Sequence, residues 1–175
     1  MAGQDKGWVE LRGRPLIAHV LERFAPQDGK VVISANRNLD RYASLNVPVL
    51  PDLLPGYQGP LAGLQAALYA TDTPLLACVP CDAPSLPLDL VVRLRTALCE
   101  GIAQVAVARA AGRVHPVFCL CRREVRPALD AALAAGERKL EAWCRTVRLV
   151  EVTFEDEQGF RNLNRPDDLE AAGGG

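Results

Sequence analysis

The segment Leu76-Ala77-Cys78-Val79-Pro80-Cys81-Asp82-Ala83-Pro84 limits the fold of this chain more than any other. A short apolar run stops at an acid flanked by prolines. A strand of a parallel sheet, covered on both faces, reads as such a continuous apolar run. Its end delivers one carboxylate to the carboxyl edge of the sheet, where open α/β sheets bind their ligands. A lone carboxylate at that edge is well placed to hold Mg²⁺ beside a nucleotide phosphate.

The rest of the chain alternates strand and helix patterns around this segment. Leu16, Ile17, Val20, Leu21 and Phe24 form a helical stripe, with Pro15 expected in its first turn. Residues 30–34 read as a short buried strand and 39–45 as a brief helix. Residues 47–50 read as a strand that Pro48 pushes toward a sheet edge or a strand start. A helix is expected over 64–70, the central strand over 75–79 and an amphipathic helix over 88–99. Residues 104–109 and 114–121 flank Ala110-Ala111-Gly112-Arg113 as a hairpin. Helices are expected at 123–135 and 139–147, a last strand at 149–154, a terminal helix at 166–172 and a frayed tail at 173–175. Repeated strand–helix–strand units with one hairpin imply an α/β fold, a mixed and mostly parallel sheet with helices on both faces. At 175 residues the chain is one domain; 49% hydrophobic and 5% aromatic residues make its core aliphatic.

Net charge −1 gives no electrostatic footprint for nucleic acid or an anionic membrane surface. No apolar run approaches the roughly 20 residues of a membrane span, and the first residues lack the apolar centre of a signal peptide. A cytoplasmic protein with no nucleic-acid or membrane partner is expected. Of six cysteines, Cys78, Cys119, Cys121 and Cys144 sit in apolar runs, as small buried hydrophobes do. Cys78-Val79-Pro80-Cys81 matches C-x-x-C, but it closes a strand where a redox dithiol opens a helix, and no second pair at zinc spacing accompanies it.

Several polar residues follow apolar runs. Asn36 and Asp52 each follow a strand, as loop residues or as groups reaching a base or ribose; an Asn side chain both donates and accepts, which suits a purine edge. Gly59-Pro60-Leu61-Ala62-Gly63 is an ordinary turn or a close backbone approach to an anion at a helix start. Lys6, between Gly3 and Gly7, is solvated or placed against phosphoryl oxygens. His115, Asn162 and Asn164 are structural or face a ligand, and Arg138 is a solvated helix start or an anion contact. There is no G-x-S-x-G, H-E-x-x-H or P-loop, so phosphate chemistry here would work by positioning and charge stabilisation.

In order, Met1-Ala2-Gly3-Gln4-Asp5-Lys6-Gly7, Gly13-Arg14-Pro15-Leu16, Ser34-Ala35-Asn36-Arg37, Asp52, Gly59-Pro60-Leu61-Ala62-Gly63, Pro80-Cys81-Asp82-Ala83-Pro84, His115-Pro116, and Asn162-Leu163-Asn164 with Pro166-Asp167-Asp168-Leu169 resemble the molybdenum cofactor guanylyltransferases of the MobA type. The resemblance runs from Met1 to about Leu169. It implies a nucleotide-diphospho-sugar transferase fold, a Rossmann-like three-layer α/β/α sandwich. It implies transfer of GMP from GTP to the terminal phosphate of molybdenum-bearing molybdopterin, with release of pyrophosphate, and partnership with cofactor-insertion proteins or molybdoenzymes. It places Lys6 on the GTP phosphates, Asn36 and Asp52 on the nucleoside, and Gly59, Pro60, Leu61 and Gly63 along the nucleotide pocket. It places Asp82 on Mg²⁺ and GTP, and His115, Arg138, Asn162 and Asn164 on the pterin side. The family's first strand and glycine-rich loop precede the segment at which this sequence opens; a domain incomplete at its N-terminus, its sheet short of a central strand, is expected. Two alternatives accompany this: a related transferase using CTP or another phosphorylated acceptor, and, from the absent loop, a non-catalytic protein binding nucleotide or molybdenum cofactor.

Overall fold

In a computed structural model of the protein, residues 5–54, 56 and 59–163 are described, Asp28 by its backbone alone. The expected helix at 166–172 and the tail at 173–175 lie outside these residues, as does Asn164.

The strands are β1 (Glu10–Leu11), β2 (Arg14–Pro15), β3 (Ile33–Ser34), β4 (Val49–Leu50), β5 (Leu75–Cys78), β6 (Val105–Ala110), β7 (Arg113–Arg122) and β8 (Leu149–Thr153). The helices are α1 (Leu16–Asp28), α2 (Leu39–Ala43), α3 (Pro60–Ala70), α4 (Leu90–Cys99), α5 (Arg126–Ala134) and α6 (Leu140–Cys144). The main sheet has the order β5-β7-β6-β8. Only β7 runs against its neighbours; β6 and β8 are parallel, so β5, β6 and β8 share one direction and the sheet is mixed, although with β7 between β5 and β6 two of its three ladders are antiparallel. β3 and β4 form a separate parallel pair joined through α2.

Alternation along the strands sorts side chains to two faces. Ala106, Ala108 and Ala110 of β6 and Phe118 and Leu120 of β7 face α1 and α4, against Val20, Phe24, Leu90, Leu94 and Leu98. Val105 and Val107 with Cys119 and Cys121 face α3, α5 and α6, against Leu61, Leu64, Leu129, Leu133 and Trp143. The result is the three-layer α/β/α sandwich, its aliphatic cores on both faces of one sheet. Fully burying one such leucine stabilises the fold by about 2 kcal/mol. Cys119, Cys121 and Cys144 are buried, Cys78 is half-buried, and all six cysteines are free thiols.

Several local features differ from the sequence reading. Pro15 is not in the helix: it closes β2 at φ −59° and ψ 144° and precedes α1. The helix expected from residue 64 starts at Pro60, because proline's fixed φ suits a first helical position and Gly59 turns the chain at φ +77°. The β1–β2 hairpin, turning through Arg12 and Gly13 at φ 53° and 72°, is too short to leave a pattern in the sequence. The expected strand at 30–34 narrows to the two residues of β3.

Among the described residues, no ladder joins β3 to β5. The two sheets are bridged by helices. α3 packs against β3, β4 and β5. α1 places Ile17 with Ile33 and Val49, and Val20 and Phe24 with Leu75 and Ala77.

Candidate active site

In the turn that follows β5 stands the acid expected there, and it is buried. Asp82 is only 4% exposed, and its backbone carbonyl accepts the Leu163 amide at 2.9 Å. Its Oδ2 lies 3.3 Å from Nζ of Lys6, whose side chain is half exposed. A carboxylate on the floor of the site thus meets an ammonium open to solvent. Lys6 sits in a single 3-10 turn spanning Lys6–Trp8.

The neighbouring Asp5 ties that turn to the loop after β3. Its Oδ1 accepts the Tyr42 hydroxyl at 2.6 Å and its Oδ2 the Asn38 side-chain amide at 2.9 Å. Nε of Arg37 stands 4.0 Å from the same Oδ2. These contacts bring the ends of β3 and β5 to one edge. Sequence reasoning assigned no role to Asp5, Asn38 or Tyr42; the only signal was the position of Asp5 directly before Lys6.

Asn36 and Asp52 close the ends of the paired strands β3 and β4 on each other. Nδ2 of Asn36 donates to Oδ2 of Asp52 at 2.8 Å, and the Asp52 amide donates to Oδ1 of Asn36 at 2.8 Å. Each side chain keeps hydrogen-bonding capacity beyond this pair. Gly63 lies inside α3 next to them: a Cβ there would sit 2.6 Å from Oγ of Ser34 and 3.9 Å from Oδ1 of Asp52. Its absent side chain therefore lets α3 press onto β3. Leu61 is fully buried in the core, so its side chain is turned away from the edge. Gly59 and Pro60 are exposed at the start of α3, and a Cβ on Gly59 would lie 3.1 Å from the Arg138 carbonyl.

The residues expected on the pterin side are less unified. Nη1 of Arg138 donates to the carbonyls of Leu133 and Glu137 at 2.9 and 2.7 Å, which commits that guanidinium to capping the end of α5. Asn162 is exposed, and its neighbour Leu163 donates to Asp82. His115 is half-buried; its ring centroid lies 5.3 Å from Phe160 and 6.1 Å from Phe118. Burial lowers its pKa, with the positive Arg113 adding to the effect and a hydrogen bond to the Ala110 backbone opposing it. The residue precedes a jump in register: Ala108 pairs with His115 and Val107 with Cys119, so Pro116, Val117 and Phe118 bulge out of the ladder. Pro116 has no amide to offer there.

Beside Asp82, burial pushes the Cys81 thiol up to about 12, with the charges of Asp82 and Asp5 adding to the rise. It stays protonated near neutral pH, unlike the low-pKa thiol of a redox dithiol. Among the described residues, no three His, Cys, Asp or Glu side chains converge into a metal cage. A cation here would therefore share Asp82 with ligands supplied by a substrate, as Mg²⁺ does with phosphates.

A family model described as the MobA-like NTP transferase domain matches residues 1–152. A molybdenum cofactor guanylyltransferase of Burkholderia vietnamiensis is 48% identical over 180 residues, covering 98% of this chain and 88% of that protein. One of Bordetella petrii is 46% identical over 168 residues, covering 94% and 86%. Among solved structures, molybdopterin-guanine dinucleotide biosynthesis protein A of Archaeoglobus fulgidus matches with a TM-score of 0.83 at 23% identity, over 99% of this chain and 91% of that one. The 2-C-methyl-D-erythritol 4-phosphate cytidylyltransferase of Thermus thermophilus matches with a TM-score of 0.72 at 19% identity, over 97% and 92%. These two structures bear on the fold alone.

Proposed function

The chain belongs to the molybdenum cofactor guanylyltransferases, and from that premise we propose that it transfers GMP from GTP to the terminal phosphate of molybdenum-bearing molybdopterin. The observation that carries this reading is the buried Asp82 at the carboxyl edge, 3.3 Å from the solvent-facing Lys6. An oxygen of the pterin phosphate attacks the α-phosphorus of GTP. The bond from that phosphorus to the bridging oxygen of the β-phosphate breaks, and pyrophosphate leaves with the electron pair.

Asp82 would hold Mg²⁺, which when bound neutralises charge on the phosphate oxygens. Lys6 presents its ammonium, beside Asp82, to the same oxygens, where a fixed positive charge favours the transition state. Asn36 and Asp52 hydrogen-bond the nucleoside with the capacity left by their own pair. Gly59 and Pro60 line the pocket at the start of α3, while Leu61 and Gly63 contribute backbone only. His115 offers the acceptor a neutral imidazole on an aromatic bed, with Asn162 beside Asp82. Arg138 contributes its backbone next to Gly59, since its guanidinium caps α5.

Among the described residues no helix is long and apolar enough to cross a membrane. Cytoplasmic work, handing the product to insertion proteins or molybdoenzymes, fits the proposal.

Calorimetric titration of GTP, CTP and ATP with and without Mg²⁺ tests the reading. GTP binding that is selective and strengthened by Mg²⁺ is expected. Selective CTP binding would replace it with a cytidylyl transfer, and no binding by folded protein would end it. Asp82→Asn should keep the fold and lose turnover by at least a hundredfold, about 2.7 kcal/mol of barrier. Undiminished turnover in that variant would remove Asp82 from the metal.

A further inference from the structure

Lys6 occupies a three-residue turn whose own hydrogen bonds, Trp8 to the Asp5 carbonyl at 3.1 Å and Val9 to the Lys6 carbonyl at 3.2 Å, close the turn without aiming it. The aim comes from the preceding side chain. Asp5 is 14% exposed, and both of its oxygens are engaged from across the site, by the Tyr42 hydroxyl and the Asn38 amide. Tyr42 is itself anchored: it is 4% exposed and packs with Ile17 and Ile33. Its hydroxyl reaches Asp5 through space that only a glycine leaves open, for a Cβ on Gly7 would lie 2.6 Å from Oη of Tyr42. The Trp8 ring leans on Tyr42 at 5.3 Å between centroids, and Arg41 covers Trp8 at 4.1 Å. The loop after β3 and the helix α2 thus form a cradle for the turn that carries Lys6.

We propose that Tyr42 and Asn38, acting through Asp5, are positioning residues that hold the Lys6 ammonium where the nucleotide phosphates lie. This rests on the reading of Lys6 given above. The Tyr42 hydroxyl is suited to the task. Burial and the hydrogen bond to Asp5 raise its pKa far above the ordinary value, so it remains a donor at every working pH. Holding a flexible lysine in one place before binding removes an ordering cost that would otherwise be subtracted from affinity.

A double-mutant cycle separates positioning from mere stability. The variants are Lys6→Met, Tyr42→Phe and both together, read by calorimetric affinity for GTP with Mg²⁺ and by thermal melting. Lys6→Met is expected to weaken GTP binding about tenfold, the lower reach of one hydrogen bond between charged groups. Tyr42→Phe is expected to weaken it about fivefold in the parent and by less than twofold when Lys6 is already Met, while lowering the melting temperature equally in both. Asn38→Gly, at a residue with φ 53° that glycine tolerates, should repeat the pattern with the core undisturbed. If Tyr42→Phe and Asn38→Gly weaken binding by the same factor in both backgrounds, or not at all, the positioning role is wrong and the reading of Lys6 stands. If Lys6→Met binds GTP as the parent does, or the parent binds none, the reading of the site falls and the inference with it.

Discussion

Asp82, Asn36 and Asp52 were legible in the sequence because each ends an apolar run, and the end of a parallel strand is where a fold of this kind exposes polar groups. Asp5, Asn38 and Tyr42 were not. Their residue types are ordinary, and the bonds that join them span 33 and 37 residues of chain. Leu61 was read as part of a turn for a different reason: a proline directly after a glycine looks like a loop until it proves to be the first residue of a helix. At this scale His115 makes the stability of the protein respond to acid. Its folded pKa lies below the unfolded value of about 6.5, so on acidification the unfolded chain takes up the proton first. The contribution of His115 is complete above the unfolded value and is lost as pH falls through the window below it. Urea midpoints at pH 7.5 and 5.5 should therefore differ more for the parent than for His115→Gln. An equal difference would mean that other groups govern the acid limb.

Among elements, the long helices and the β6–β7 hairpin followed their patterns, whereas the shortest pieces did not. Two-residue strands such as β1, β2 and β3 exist because their neighbours pair with them, and nothing in two residues carries a period. The hairpin offers a sharp check on turn chemistry. Its central residues are Ala111 at φ 50° and Gly112 at φ 70°, the left-handed pair that a two-residue turn requires. Alanine pays a steric cost there that asparagine largely avoids. Ala111→Asn should stabilise the protein by about 0.5–1 kcal/mol in urea unfolding and leave GTP binding unchanged. A loss of stability would show that the tip is held in its conformation by something other than local preference.

For the molecule as a whole, the layers were readable because strand and helix patterns follow one another along the chain, which puts helices on both faces of a sheet. What the sequence could not show was how the layers are tied across the interval between β3 and β5, since that depends on α1 and α3 reaching two sheets at once. The pairing has a consequence for exchange. β6 has partners on both sides, whereas β3 and β5 each have one among the described residues. Backbone amides that open only with global unfolding exchange slowest. Amides of β6 and of the inner half of β7, which is also paired on both sides, should thus be the most protected in hydrogen exchange, with β5 intermediate and the β3–β4 pair fastest; β3 protected as well as β6 would contradict this. The register jump in β7 carries a different kind of consequence. Cys119 and Cys121 are pinned opposite Val107 and Val105, while His115, Val114 and Arg113 pair beyond the jump. A small shift of the tip meets the bulge at Pro116 and Val117 before it reaches the buried Phe118. In mechanical terms the hairpin behaves as an expansion joint: its inner half is held in step with the sheet, and the bulge lets its outer half, with His115, take a register of its own.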